Sequence, residues 1–410
     1  MVPQMQRICI MLGKRGKGPG VQKVAAEVVV VATKYPFKLS ALCLALAAAS
    51  ASHAKVLPED RADILYHGYE GGGVSIQGPS VLVRKAYKDK ISVWGNYYVD
   101  MISGASIDVE ATASKYSETR EEFSIGADYL YDKTIIGVGY TQSEEDDYSA
   151  STVRFSVSQD FFGDLTTLSL GYAYGDDTVR RNGDANFEDE AQHQSFRLEL
   201  SQILTTRLIM NLGVEAVVDE GYLNNPYRSV RFRDETSANG YSYQAEEYPR
   251  TRNSDAVAVR AMYHLPYRAA LRGEMRAYTD SWGIDAYNAE ISYTHPMGDH
   301  WEFDASFRFY DQGQADFYAD IFPFQDAQNF LARDKELASF TSTSVGAGVS
   351  YSFAHEGFWV FSKGSANLFV DYILFDYENF SNVTTGAALG EEPLYNFNAV
   401  VFRAYLSLWF

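Results

Sequence analysis

Cysteine is nearly absent. The 410-residue chain has two, Cys9 and Cys43, and both precede the processing point expected below. A mature chain without cysteine has no disulfide framework, thiolate metal site or cysteine nucleophile. No run of 18 consecutive apolar residues is present, which excludes a transmembrane helix but not a spanning strand. Positive charge is scarce: 35 Lys and Arg stand against 54 Asp and Glu, a formal net charge of −19. Such a chain repels phosphate backbones, so nucleic acid is not an expected partner. Catalytic signatures are missing too: no His-Glu-x-x-His, no Gly-x-Ser-x-Gly and no phosphate loop. His264 and His295 fall at expected strand ends and His300 and His355 near turns, with no evident cluster. No catalytic residue, cofactor or dedicated metal is therefore expected. An outer-membrane hydrolase is the least favoured reading.

Aromatic residues are abundant, at 15% of the chain, with 30 Tyr and 25 Phe. Membrane interfaces and sugar-binding surfaces both favour a ring with one wet end. The main signal is alternation with period two, the mark of strands with two unlike faces. Leu208, Met210, Leu212, Val214 and Ala216 alternate with Asn211, Gly213 and Glu215. Trp301, Phe303, Ala305, Phe307 and Phe309 alternate with Glu302, Asp304, Ser306 and Arg308. A soluble sandwich also alternates, but these segments run about ten residues, the span of a tilted strand through a bilayer.

Short links, such as Asp132-Lys133 and Leu204–Arg207, alternate with long ones near 143–149, 175–191, 219–252, 311–340 and 377–397. Short inner turns and long outer loops are the habit of outer-membrane barrels. The last segment places Val400, Phe402, Ala404, Leu406, Leu408 and Phe410 on one face. Its terminal Phe410 resembles the signal read by barrel-assembly machinery, an expected partner alongside outer-membrane lipid. The fold class expected is all-β, a transmembrane antiparallel up-and-down barrel of about fourteen strands. Sixteen follow if Val81–Arg84 and Ile107–Ala113 also span.

Three regions are expected. Residues 1–54 form a leader ending in a signal peptide: Lys34 and Lys38 precede an apolar run from Leu39, and Ser52-His53-Ala54 fits the small-x-small cleavage rule. Residues 55–89, with Gly71-Gly72-Gly73 and Gly78-Pro79, read as a periplasmic lead-in or partial plug. Residues 90–410 read as the barrel, in the outer membrane of a Gram-negative envelope.

Seven stretches carry a family resemblance. They are Asp100–Ser106, Ser143–Tyr148, Gln202–Thr205, Asp219–Arg228, Tyr248–Arg252, Phe317–Asp320 and Arg333–Glu336. Through them the chain, from about Gly68 to Phe410, resembles the bacterial outer-membrane family called domain of unknown function 3570. The resemblance implies a cell-envelope location and supplies no activity or site residue.

If the apolar rows meet lipid, the intervening charges line the lumen. The candidates are Glu215, Arg260, Arg272, Glu274, Arg276, Glu290 and Arg308. An Arg on the lipid face near mid-membrane costs roughly 2–4 kcal/mol, so charge belongs inside. Such a row either braces the wall through cross-strand pairs or selects a small solute at a charged constriction. In the loop 219–252, Tyr227, Arg228, Arg231 and Tyr248 mix aromatic and guanidinium groups. That mixture binds sugars, anions or proteins, or packs the loop into the barrel mouth. Glu144–Asp147 and Asp184–Glu188 offer clustered carboxylates, for which loop solvation is favoured over calcium. The expected function is a channel or porin-like barrel with a mixed-charge lumen. The alternative is a closed barrel that holds a periplasmic or secreted partner protein.

Overall fold

The computed structural model describes residues 55–104, 116–353, 357 and 359–410. The leader with its two cysteines, the segment Ile107–Ala113 and His355 lie outside the described residues.

Sixteen strands close into one antiparallel barrel. In chain order they are β1 Arg61–Gly71, β2 Val74–Tyr87, β3 Ile91–Gly104, β4 Tyr116–Tyr131, β5 Thr134–Glu144, β6 Tyr148–Phe161, β7 Thr166–Arg180, β8 Glu188–Thr205 and β9 Leu208–Gly221. A short hairpin follows, β10 Ser229–Arg233 and β11 Tyr241–Ala245, which stands apart from the wall. The wall resumes with β12 Thr251–His264, β13 Ala270–Asp280, β14 Asp285–Met297, β15 Trp301–Gln312, β16 Phe340–Phe353, β17 Lys363–Ser381 and β18 Leu394–Trp409. Neighbours in sequence are neighbours in the sheet, except that β12 pairs with β9. β1 closes the ring on β18, with Arg61 opposite Trp409 and Gly71 opposite Ala399. Closure leaves no unpaired edge, as a strand wall in hydrocarbon requires.

The alternation reads correctly as two faces. Large apolar side chains stand exposed on the wall, among them Phe307 at 46% and Val345 at 57%. The charged rows are on the inside, because several of their ion pairs reach over an intervening strand. Arg276 on β13 meets Glu215 on β9 at 3.2 Å across β12, and Arg84 on β2 meets Asp128 on β4 at 2.5 Å across β3. Side chains converge in this way on a concave face and diverge on a convex one. Small residues beneath make room, since the inward side chains of β12 there are Ala256 and Ala258.

The strand count needs one correction. All fourteen expected strands are present, and the two that bring the count to the sixteen also allowed for come from residues expected as a lead-in or plug, Val81–Arg84 lying in β2. β1 and β2 pair over eleven positions from Arg61↔Arg84 to Gly71↔Val74 and belong to the wall. Gly78-Pro79 reads as a turn, yet it lies within β2. Pairing with β3 is broken there, stepping from Gln77↔Met101 to Ser80↔Tyr98. Proline offers no N–H to the ladder. A side chain at Gly78 would start 1.7 Å from the carbonyl oxygen of Val99, so only glycine fits. Among the described residues, 55–60 precede the wall. They reach past four strands to β6, where Lys55 Nζ meets Ser158 Oγ at 2.8 Å and Asp160 at 3.0 Å.

The connections at the two ends differ. At the end where β1 begins and β18 finishes, the described links include 132–133, 162–165, 206–207, 265–269 and 298–300. At the other, here the loop end, they include 222–250, 313–339 and 382–393. Some expected loops are shorter than their polar sequence suggests, because strands run on beyond the apolar zone. Only 145–147 separates β5 from β6, and only 181–187 separates β7 from β8.

Candidate functional site

The predicted lumen residues form a connected belt. Arg197 on β8 pairs with Glu215 at 2.7 Å, and Glu215 also holds Arg276. Arg260 on β12 pairs with Glu274 at 2.5 Å and approaches Glu199 at 3.8 Å. The register continues the row from Glu274 to Glu290 to Arg308. Arg308 lies over the Tyr310 ring at 5.5 Å. Among the described residues no carboxylate pairs with Arg272, which stands opposite Ser292 and is exposed. The belt is thus braced over β8, β9, β12 and β13 and uncommitted at Arg272. Both expected roles have a physical basis in it.

The predicted loop residues sit differently from a presented binding surface. Connections 222–250, 313–339 and 382–393 pack together at the barrel mouth as a cap with its own apolar core. Tyr248, Trp282, Phe317, Leu337, Tyr377 and Phe380 are all buried in that core. The rings of Tyr248 and Trp282 meet edge-on at 5.5 Å. A second cluster joins Val230 and Phe232 of the hairpin to Phe322 and Leu331.

Tyr227, Arg228 and Arg231 are the hub of this cap. The Tyr227 hydroxyl donates to Asp147 in the turn 145–147 at 2.9 Å and accepts from the Asn182 N–H at 2.9 Å. Arg228 pairs with Asp334. Arg231, only 1% exposed, meets Asp320 at 2.5 Å and Glu392 at 2.5 Å. Arg333 meets Asp320 at 2.8 Å and stacks over Phe380 at 4.4 Å. Three of the hub's points of attachment, the turn 145–147, its own connection 222–250 and connection 382–393, divide the sixteen wall strands into arcs of six, four and six. No arc exceeds half the circumference, so a segment touching all three lies over the opening.

Electrostatics explains why these buried charges are tolerated. Burial raises the Asp320 carboxyl, but Arg333 and Arg231 outweigh it and hold the group below its ordinary range. Glu392 is likewise lowered, burial being outweighed by the hydrogen bond from Arg231 and two backbone N–H groups. A buried pair is stable where each charge is met this fully. Asp320, Arg333, Asp334 and Glu392 were missed as site residues. The stretches Phe317–Asp320 and Arg333–Glu336 marked three of them in sequence, without revealing a role.

The acidic motifs part company. Glu145 and Asp147 converge with Glu118, their carboxylates lying within 4.8 Å of one another. Burial and the neighbouring Glu118 push Glu145 up to about 7. Asp184 is buried and accepts from the Asn186 N–H at 3.2 Å, whereas Glu188 pairs with Arg180 at 3.2 Å. Two histidines outside the expected set are engaged inside the wall. His67 meets Asp100 at 2.7 Å and Tyr98 at 2.9 Å. His193 stands between Asp177 at 2.9 Å and Asp219 at 2.6 Å.

Comparison with known proteins places this geometry. A model of the family described as protein of unknown function (DUF3570) matches residues 109–199 and 184–366. No curated protein matches the chain by sequence. Among solved structures, a bacterial polysaccharide outer membrane secretin is 8% identical, with 86% of this chain and 100% of that one covered and a TM-score of 0.48. The CymD monoaromatic hydrocarbon channel is 9% identical, with coverage of 86% and 89% and a TM-score of 0.41. The siderophore receptor PirA from Acinetobacter baumannii is 10% identical, with coverage of 84% and 57% and a TM-score of 0.41. These are likenesses of architecture alone. The chain belongs to the DUF3570 family.

Proposed function

We propose that this DUF3570 member is an outer-membrane diffusion channel whose wide lumen is controlled by a cap of its own loops. The supporting observation is the contrast along the barrel axis. The wall's interior carries a row of Arg and Glu, including the uncommitted Arg272, in a barrel whose sixteen strands leave room for an aqueous lumen. Over it sits a cap pinned by Arg231 to two separate loops. A charged interior serves hydrated solutes, and a latched mouth limits their entry. The solute class that fits is small and polar, screened by a mixed-charge belt rather than by charge of one sign.

Planar-bilayer recording tests the reading. Wild-type protein is expected to show small or infrequent conductance steps. Arg231→Ala, which leaves Glu392 without its guanidinium, is expected to show larger and more frequent ones. Silence from both proteins at every voltage overturns the channel reading.

A further inference from the structure

We infer that the cap carries, on its surface at the loop end, a binding groove for an uncharged saccharide. The groove lies where connection 222–250, turn 281–284 and connection 313–339 meet. It is an open cavity of about 360 Å³, within the roughly 300–1,000 Å³ typical of small-ligand clefts. Its apolar part is aromatic. Trp282 and Phe317, buried in the cap's core, form its floor and meet edge-on at 5.2 Å and 79°; Arg252 lies over the Trp282 ring at 4.5 Å, and Phe330 joins Phe317 at 6.4 Å and 65°. Trp282 is fixed, because its indole N–H donates to the Thr251 carbonyl at 2.9 Å. Phe330 stands 40% exposed at the groove's edge.

The polar part consists of Asp316, Gln328 and Asn329. Among the described residues the side chains of Asp316 and Asn329 have no hydrogen-bond or ion-pair partner. Gln328 spends one N–H on the Phe317 carbonyl at 3.2 Å and keeps its own carbonyl oxygen. Asp316 has a place made for it. Gly283, with φ of +87°, leaves open the space where a side chain would start 2.4 Å from the Asp316 carboxylate.

Two features select the ligand class. A sugar ring has an apolar C–H face and a rim of vicinal hydroxyls. The exposed Phe330 ring beside a carboxylate and two carboxamides matches both halves, since the carboxylate accepts and the carboxamides do either. Among the described residues no Lys or Arg lines the groove, and Asp316 leaves an anion facing like charge, so phosphate- or sulfate-bearing ligands are disfavoured. The inference does not depend on conductance, so it and the channel reading fail separately.

The test uses the full chain in an amine-oxide detergent, because glucoside and maltoside detergents would themselves supply sugar. Linear oligosaccharides of hexose and of N-acetylhexosamine are each added and followed by saturation-transfer NMR. At least one series is expected to receive saturation at its ring protons. Phe330→Ala and Asp316→Asn, both changes at exposed side chains, are each expected to weaken binding about tenfold or more. Limited proteolysis checks that the cap is intact in both variants. No transfer to either series at about 10 mM overturns the inference. So does transfer that survives both substitutions, or transfer to a mixture of short peptides in place of saccharides.

Discussion

The wall and the cap of this protein obey opposite hydrophobic rules. In the wall, Phe307, Val345 and their like face outward and the charges face in. In the cap, Trp282, Phe317 and Phe380 are buried within, as in a water-soluble domain. Even its charges are enclosed, Arg231 and Arg333 being among the least accessible side chains. The difference shows that the solvent changes along the barrel axis. Hydrocarbon surrounds the wall and makes apolar exposure favourable. Water surrounds the cap and drives the same residue types together.

The comparison can be broken most forcefully at Arg231. Arg231→Ala removes one partner from a buried network, at a cost of about 3–5 kcal/mol of cap stability. Limited proteolysis should then cut within 222–250 or 313–339 while the barrel keeps its heat-dependent mobility in gels. Joint loss of cap and barrel would show that the two regions are one cooperative unit.

A smaller effect separates the faces of the wall. Phe307→Arg should cost roughly 2–4 kcal/mol in folding titrations into lipid vesicles, because the charge enters hydrocarbon. Its neighbour Ser306 faces inward, and Ser306→Arg should cost much less. Equal costs would contradict the assignment of faces.

Acid should distinguish the cap's two moorings. Asp320 and Glu392 have folded values below their ordinary 3.8 and 4.5, so their contribution is complete above those values and is lost as pH falls through the lowered ones. Glu145 is raised from 4.5 to about 7, so its contribution is complete below 4.5 and declines as pH rises through about 7. Hydrogen exchange should show the turn 145–147 loosening between pH 4.5 and about 7 while Arg231 N–H stays protected. Parallel loosening at both moorings would argue against separate control.

The smallest expected change concerns the lumen. Glu274→Gln breaks a partly exposed pair with Arg260, worth about 1 kcal/mol or less. Stability should barely move, but reversal potentials under a salt gradient should shift toward anions. An unchanged potential would leave the belt as bracing only.

Much of the wall was legible because its environment imposes a simple rule on every second residue. Glu215, Arg260, Glu274, Glu290 and Arg308 could be placed on one face from parity alone, and the register sets Arg260 opposite Glu274, Glu274 opposite Glu290 and Glu290 opposite Arg308. β1 escaped and β2 was marked only by Val81–Arg84, because Gly71–Gly73 and Gly78-Pro79 resemble breakers and the closure of β1 onto β18 leaves no local mark. The cap was harder still. Arg231 finds Glu392 across 161 residues, and loop sequence has no period that could announce such a meeting. Tyr227, Arg228, Arg231 and Tyr248 were therefore noticed for their chemistry, while their partners, and so their role in holding the cap, were not.

The amino-acid order alone determined that this chain crosses a membrane as a strand wall with greasy exterior and charged interior, since lipid contact on one side and enclosure on the other impose strict alternation. Only the tertiary structure decided that sixteen strands close the ring, and that three distant loops join over its mouth. Both outcomes depend on non-local pairing, whose energy is realised only when remote segments are brought together.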